Sequence, residues 1–381
     1  MTRLVTLHPA ELTDADIGAW RSLCATQPDF RSPLMGPDFA QAVGAVREDA
    51  RVAIWREDDG QAVGFMGYHA RPHGMARPIG APLSDYHGPV SARPLDLAEG
   101  LAELGLSAYR FSGLLDPLGA AASAPAERRE AFLIELDGPA DDYLEALRAA
   151  SAKRFKNYRR LDGKLDREVG KITVRAPDHD DVAFEQLLAW KRDQFERTGV
   201  HDFLAPEWTQ KLIADFFAAR EGPLQGLMIN LYVGDKLAAG HFGVRLGDVY
   251  HPWIASADPE LGAWSIGQLF LLRAIAAMPE LGLKVYDLGP GHEHYKRPYA
   301  LSTRTIGEGL MAAAGSRGRA AEASERAWAM AGAYRPGMVG RLRRRLDVIA
   351  TTELSFSGRA RGLAGAIAAK ALKPGPSPEI P

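Results

Sequence analysis

The fifty residues from Tyr250 to Tyr299 constrain this chain more than any other segment. Tyr250-His251-Pro252-Trp253-Ile254 has the β-prone composition of a strand and stops at Ser256-Ala257-Asp258-Pro259. Ser265-Ile266-Gly267-Gln268 then opens an apolar helix that runs through Met278. After Gly282 a short strand, Lys284 to Leu288, leads into the dense polar run Gly289-Pro290-Gly291-His292-Glu293-His294-Tyr295-Lys296-Arg297. A helix whose first turn carries Ser and Gly presents free backbone N–H groups and the positive end of its dipole, a natural seat for a phosphate. Titratable groups crowd the adjoining strand end. A phosphate seat beside reactive side chains points to group transfer from a nucleotide-bearing donor.

Length and charge set the frame for that segment. A chain of 381 residues is long enough for two domains, and 46% hydrophobic with 25% charged residues is ordinary for a soluble globular protein. Neither a signal-like opening nor a run of about 20 apolar residues stands out, and one cysteine, Cys24, precludes an intramolecular disulfide. The expectation is a cytoplasmic enzyme, with peripheral attachment at the inner face of a membrane as the variant. Net charge is −2, yet Arg335 to Lys373 holds nine basic residues against two acidic ones, which leaves the rest of the chain acidic. A body this acidic argues against a dedicated DNA or RNA binder.

Two distant segments resemble each other. Val52 to Trp55, a turn at Asp58-Asp59-Gly60 and Ala62 to Met66 form one hairpin signature; Met228 to Val233, Gly234-Asp235 and Leu237 to Phe242 form the other. Each has a glycine early in its second strand, Gly64 and Gly240, where a bulge or a close backbone approach is expected. Helix starts are read at Thr13-Asp14-Ala15-Asp16 and Gly36-Pro37-Asp38-Phe39. Ala120 to Glu127 reads as a loop, and Asp141 to Leu165 as helical and then basic. Phe184, Leu187, Leu188, Trp190, Lys191 and Phe195 have amphipathic-helix spacing, and so do Leu212, Ile213, Phe216 and Phe217. The aromatics and bases of Lys153 to Arg160 suit either a solvated helix face or an anionic glycan carrier.

The order of Tyr250-His251-Pro252-Trp253, Asp258-Pro259-Glu260, Ser265-Ile266-Gly267, Asp287-Leu288-Gly289-Pro290-Gly291 and Tyr295-Lys296-Arg297 resembles the acetyltransferases of bacterial cellulose and exopolysaccharide biosynthesis. These lie in the two-lobed branch of the Gcn5-related N-acetyltransferase superfamily, which includes the peptidoglycan aminoacyl transferases. Ser32-Pro33-Leu34, Pro82-Leu83-Ser84-Asp85-Tyr86 and the basic stretch Ser151 to Arg160 extend the likeness over roughly residues 30 to 310. The resemblance implies an α/β (α+β) fold of tandem acyl-CoA N-acyltransferase-like lobes, each a mixed sheet flanked by helices. An acceptor-side lobe would span 1–135 and a catalytic donor-side lobe 136–311. A basic, helical or partly disordered extension would follow over 312–381.

It further implies transfer of an acyl group, most simply acetyl, from acyl-CoA to an amino sugar of an exopolysaccharide or a lipid-linked glycan precursor. Ser265, Ile266, Gly267 and Gln268 would hold the donor's pyrophosphate, although the glycine-rich form usual in the superfamily is absent. Attack by an amine needs a base, a donor aimed at the carbonyl oxygen and an acid for the leaving thiolate. Asp287 and His251 are candidates for the base, Tyr295 for the acid and Lys296 for neutralising developing charge. His241, Trp253, Asp85 and Tyr86 are candidates for contacting the acceptor. His292 and His294 flank Glu293, but the spacing lacks a third ligand and no metal is expected.

Two alternatives stay open. One is aminoacyl transfer from aminoacyl-tRNA, although no long heptad arm is seen. The other is a degenerate acyltransferase acting as a sensor. In the tail, Arg341, Arg344, Arg345 and Asp347 make Arg-x-x-x-Arg and Arg-x-x-Asp patterns of the kind that hold cyclic di-GMP. The same helix places Met338, Leu342, Leu346 and Ile349 on one face with arginines on the other, which suits contact with a membrane surface or with the polysaccharide-synthesis machinery.

Overall fold

The computed structural model describes residues 3–371 apart from Pro125, His292 and Pro336. The chain divides into two compact units. The first comprises Met1–Glu130, Phe203–Leu212 and Thr305–Ala371; the second comprises Ala131–Asp202 and Ile213–Arg304.

The first unit is built on a mixed sheet of β1 (Arg3–Leu7), β2 (Ala50–Arg56), β3 (Ala62–Ala70), β4 (Met75–Pro78), β6 (Ala108–Leu114) and β13 (Ser302–Ala312), in that order, with the short β5 (Val90–Ser91) also on β3. The second unit uses β7 (Ala126–Glu135), β12 (Val285–Pro290), β11 (Val249–Ala257), β10 (Lys236–Leu246), β9 (Leu224–Val233) and β8 (Ile172–Arg175). Both sheets follow one pattern. Four strands pair antiparallel in sequence order, the fourth pairs parallel with the next, and a last strand joins antiparallel. The parallel pairs, β4 with β6 and β11 with β12, each have a helix in their connection, Leu97–Glu103 and Ile266–Ala277. A parallel pair requires such a crossover.

Both hairpins read from the sequence form, β2 with β3 and β9 with β10. Their marker glycines are close-approach positions. A Cβ on Gly64 would lie 2.9 Å from Leu95 Cδ1, and one on Gly240 would lie 1.9 Å from Asn230 Oδ1. Helix Asp14–Cys24 starts at Thr13 with a reciprocal cap through Asp16, and helix Pro37–Gly44 starts on Pro37. The segment read as a loop over 120–127 is shorter than expected, because β7 begins at Ala126.

In helix Ala152–Glu168 the aromatic residues of the basic stretch turn inward. Phe155 and Tyr158 are buried with Leu161 and Leu165, while Lys153, Arg154, Lys156, Arg159 and Arg160 are exposed. This is the solvated-face arrangement, in which apolar spacing selects the core side. Each unit has its own core. Trp55, Met66, Leu101, Tyr109 and Met311 belong to the first, and Phe132, Ile229, Phe270, Ile275 and Tyr286 to the second.

Residues 312–371 form three helices, Ser316–Met330, Met338–Thr352 and Phe356–Ala371, which belong to the first unit. Ion pairs hold them there. Glu325 accepts from Arg110 and Arg343 at 2.8 Å or less, and Asp347 pairs with Arg110 at 2.8 Å and Arg77 at 3.1 Å. Thr352 O receives the indole N–H of Trp208. Residues beyond 371, included in the extension read from sequence, lie outside the described residues. Among the described residues no helix is long and apolar enough to cross a membrane.

Candidate active site at the parallel strand pair

In the second unit β11 and β12 pair only at Val249↔Val285 and Tyr250↔Tyr286. Beyond these residues β11 continues to Ala257 and β12 to Pro290 without further pairing to each other. Two irregularities accompany this divergence. Phe242 opposes Ile254 while Gly243 opposes Pro252, so Trp253 is an extra residue in β11. A Cβ on Gly243 would fall 2.1 Å from His251 O, so the bulge is possible only with glycine there. Pro252 has no N–H to offer a ladder, and a bulge is where a strand tolerates it. On β12 the register shifts between Asp287 and Gly289, and Gly289 takes a left-handed φ of 70°. His251 and Trp253 from one strand and Asp287 and Gly289 from the other therefore occupy the diverging ends.

Asp287 is fully buried and sits between two cationic or proton-bearing groups. Its Oδ1 accepts from Gly289 N–H at 2.9 Å and lies 3.6 Å from His251 Nδ1; its Oδ2 lies 3.5 Å from an Arg304 guanidinium nitrogen. A carboxylate on the Nδ1 side of an imidazole leaves Nε2 as the ring atom able to take a proton. Asp287 and His251, read separately from the sequence, are thus brought together. Arg304 was not read. Its signal was the alternation Ser302, Arg304, Ile306 on one face of β13.

His241, on β10, hydrogen-bonds Tyr286 OH at 2.7 Å and packs on Phe270. Burial, reinforced by the charges of Lys191 and Lys296, pushes its pKa down to about 3. It stays neutral at ordinary pH, with Nδ1 engaged by Tyr286 OH. Lys191, counted in the sequence as part of an apolar helix face, is the residue that reading missed. It occupies the inward stripe of helix Asp181–Thr198 with Phe184, Leu187 and Phe195. Its Nζ donates to Ala255 O at 3.4 Å, and Ala255 is the register partner of His241. A lysine at a core position of a heptad was the available signal. Burial, and then the like charge of Lys296, lower its pKa to about 8.

Lys296 ends the short helix Glu293–Lys296 and donates to Pro290 O at 2.7 Å and Gly289 O at 3.3 Å. It ties the polar run back onto the end of β12. Tyr295 OH donates to Gly267 O at 3.0 Å, and burial raises its pKa, so the phenol keeps its proton. Tyr295 therefore braces the first turn of helix Ile266–Ala277. That turn begins at Ser265, whose backbone is left-handed (φ 52°, ψ 45°) and whose side chain makes no cap. A non-glycine residue held at positive φ is uncommon and costs energy. The first-turn amides of Ile266 and Gly267 carry the positive end of the helix dipole, with Gln268 N–H turned to Ser265 O. A Cβ on Gly267 would meet only Tyr295, at 3.5 Å, so there is room for a ligand group over this turn.

The remaining sequence candidates lie in the first unit. Asp85 is half-buried and Tyr86 fully buried beneath the β6 backbone, where a Cβ on Gly113 would strike Asp85 O. Arg341 and Arg344 are exposed on helix Met338–Thr352, Arg345 is half-buried, and Asp347 turns inward to Arg77 and Arg110. In the Arg-x-x-Asp pattern Arg344 is exposed while the Asp347 carboxylate is engaged by Arg77 and Arg110. His292 lies outside the described residues, and among those described no cluster of His, Cys, Asp and Glu is arranged to hold a metal ion.

The Lys191 geometry predicts a pH signature. An ammonium whose pKa is lowered to about 8 loses its charge as pH rises through that value, while below it the cation is present. The kcat/KM profile is expected to fall through a limb near pH 8, and Lys191→Met should abolish that limb. An unchanged profile in the variant would remove Lys191 from the site.

Residues 152–297 match the family described as acetyltransferase (GNAT) domain. No curated protein sequence matches the chain. Among solved structures FemX is similar with 11% identity and a TM-score of 0.50, over 80% of this chain and 96% of FemX. The C-terminal domain of a putative lysylphosphatidylglycerol synthetase from Agrobacterium fabrum gives 13% identity and a TM-score of 0.48, over 82% of this chain and 95% of that one. A tandem GNAT protein from the clavulanic acid biosynthesis pathway gives 13% and 0.45, over 83% and 100%. Residues 152–297 are thus similar to the acetyltransferase (GNAT) domain family, in a chain whose mixed sheets flanked by helices share the fold of FemX.

Proposed function

We propose that the protein moves an acyl group from an acyl-CoA, most simply acetyl-CoA, to an amine by direct attack, and that the acceptor is an amino sugar of an exopolysaccharide or its lipid-linked precursor. The observation that carries the acyl-transfer reading is the divergence of β11 from β12 beside the uncapped first turn of helix Ile266–Ala277. The residues present suit the donor: the first-turn amides of Ile266 and Gly267 would hold its phosphates, and Gly267 adds no side chain there. The bound thioester supplies the acyl carbon and a thiolate leaving group.

The chain's own groups do the rest. The β11 edge beyond Tyr250, where its pairing to β12 ends, is assigned to holding and polarising the acyl carbonyl. His251, oriented by Asp287, accepts the proton that the attacking ammonium must lose. Trp253, displaced by the bulge, and His241 are assigned to holding the acceptor. Tyr295 sets the position of the helix turn instead of donating a proton, because its O–H is already engaged by Gly267 O. The acceptor class is supported by the order of motifs from Tyr250 to Arg297.

Calorimetric titration with acetyl-CoA, with Gly267→Glu alongside, tests the donor. Heat from the parent and none from the variant is expected, since a carboxylate over the first turn repels the phosphates. No heat from either protein would transfer the reading to an aminoacyl-tRNA donor. Turnover with glucosamine-type acceptors then tests the sugar.

A further inference from the structure

The helices that follow β13 have two unlike sides. Their inner side is engaged: Glu325 and Asp347 meet Arg110, Arg343 and Arg77, and Arg343 stacks over Trp328 at 4.8 Å; of the apolar face read from the sequence, Ile349 is buried and Leu346 half-buried, which leaves its Met338 and Leu342 end outward. Their outer side carries large apolar side chains in water. Met338 is 58% exposed, Leu342 46%, Leu354 46% and Phe356 89%. On helix Met338–Thr352, residues 338, 341, 342 and 345 fall on one stripe, so Met338 and Leu342 are interleaved with Arg341 and Arg345, and exposed Arg344 borders them. On helix Phe356–Ala371, Leu363 is exposed on the same stripe as Phe356, with half-buried Arg359 one turn from Phe356.

Exposed apolar side chains in this number are unusual where the same helices bury others well. Their arrangement favours a fluid surface over a protein one. Met338, Leu342 and Phe356 protrude singly from two successive helices within a turn of Arg341, Arg345 and Arg359, and Leu354 from the connection between them, which suits insertion just below a layer of phosphates. Charge complementarity points the same way. The basic residues gather in this end of an otherwise acidic chain, so an anionic surface attracts this face and repels the remainder. We propose that the outer face of the C-terminal helices docks the protein on an anionic phospholipid bilayer, with Phe356, Leu342 and Met338 inserted and Arg341 and Arg344 at the phosphate level.

The test is co-sedimentation of the full chain with phosphatidylcholine vesicles, with and without phosphatidylglycerol. Binding is expected only where phosphatidylglycerol is present, and it should weaken with added salt. The double variant Arg341→Glu/Arg344→Glu should lose about thirtyfold or more in vesicle affinity. Phe356→Ser should weaken binding at least about tenfold, since one large buried side chain contributes on that scale. All three positions are exposed, so thermal midpoints should stay at the parent value and show that the variants fold. Equal binding to both vesicle types, no binding to either, or variants that bind like the parent would each overturn the proposal. A concentration-dependent dimer in solution that Phe356→Ser dissociates would overturn it in favour of a second copy of the chain.

Discussion

Arg110→Met is expected to destabilise the first unit by about 3–5 kcal/mol, the scale for removing one partner from a buried ion pair. Arg110 is 4% exposed and is the group that Glu325 and Asp347 share, through Nη1 at 2.7 Å and Nε at 2.8 Å. Its removal leaves Glu325, also buried, with Arg343 and Tyr334, and leaves Asp347 with Arg77 and a longer contact to Arg343. Helices Ser316–Met330 and Met338–Thr352 carry these two carboxylates and are seated through them. The expected result is a lower urea midpoint, with earlier proteolysis between Met311 and Phe356. Arg110→Lys should recover only part of the loss, because an ammonium cannot reproduce the two-directional fork. A midpoint within error of the parent would show that apolar packing alone seats the helices.

The same pair sets an acid limit. Burial alone would raise the Glu325 pKa, but hydrogen bonds from Tyr334 and Arg110 outweigh it and hold the group below its ordinary 4.5. Asp347 is likewise raised by burial and lowered overall from 3.8 by Arg77, Arg110 and Arg343. Folded values below unfolded ones mean that this stabilisation is complete above the unfolded values. It is lost as pH falls from about 4.5 through the lower folded values. Arg110→Met should flatten that part of the stability curve.

Asp287→Asn is expected to lower kcat/KM by about 10²–10⁴-fold, the usual contribution of positioned general base catalysis. Asparagine keeps the shape and can still accept the Gly289 N–H, but it no longer supports a positive charge on His251 or balances Arg304. The effect should fall on kcat, with acetyl-CoA affinity in calorimetry retained, because the amides of Ile266 and Gly267 are untouched. A loss of melting temperature with undiminished turnover per folded molecule would make Asp287 a structural counter-ion and assign the base elsewhere.

Local chemistry explains which parts of this architecture were legible. Capping at Thr13 and proline at Pro37 start helices through contacts within a few residues. The hairpins of β2–β3 and β9–β10 follow from alternating β-prone runs about tight turns. Helix Ile266–Ala277 follows from an apolar run opened by Ser265 and Gly267. The concentration of functional groups after Asp287 is also local, so Asp287, Tyr295 and Lys296 were visible as candidates. Their contacts were not. Tyr295 reaches back to Gly267 and Lys296 to Pro290 O, and nothing in composition distinguishes a brace from an acid.

Residue order alone therefore carried the hairpins and the crossover helix, since each rests on periodicity or capping over a few turns of chain, and the α/β class through the resemblance in motif order. Tertiary structure decided what depends on distant partners. β13 completes the first sheet by pairing Gly309 with Phe111, and β7 completes the second by pairing Tyr286 with Ile134. Divergence of β11 from β12 depends on a bulge that Gly243 permits only against the facing backbone. Lys191 became a site residue because its helix packs that apolar stripe over β11, where burial and a second lysine alter its charge. Asp347 became a structural anchor because Arg77 and Arg110, far away in the chain, meet it in the fold. Charge, spacing and capping are written locally, whereas burial and pairing exist only once distant segments have met.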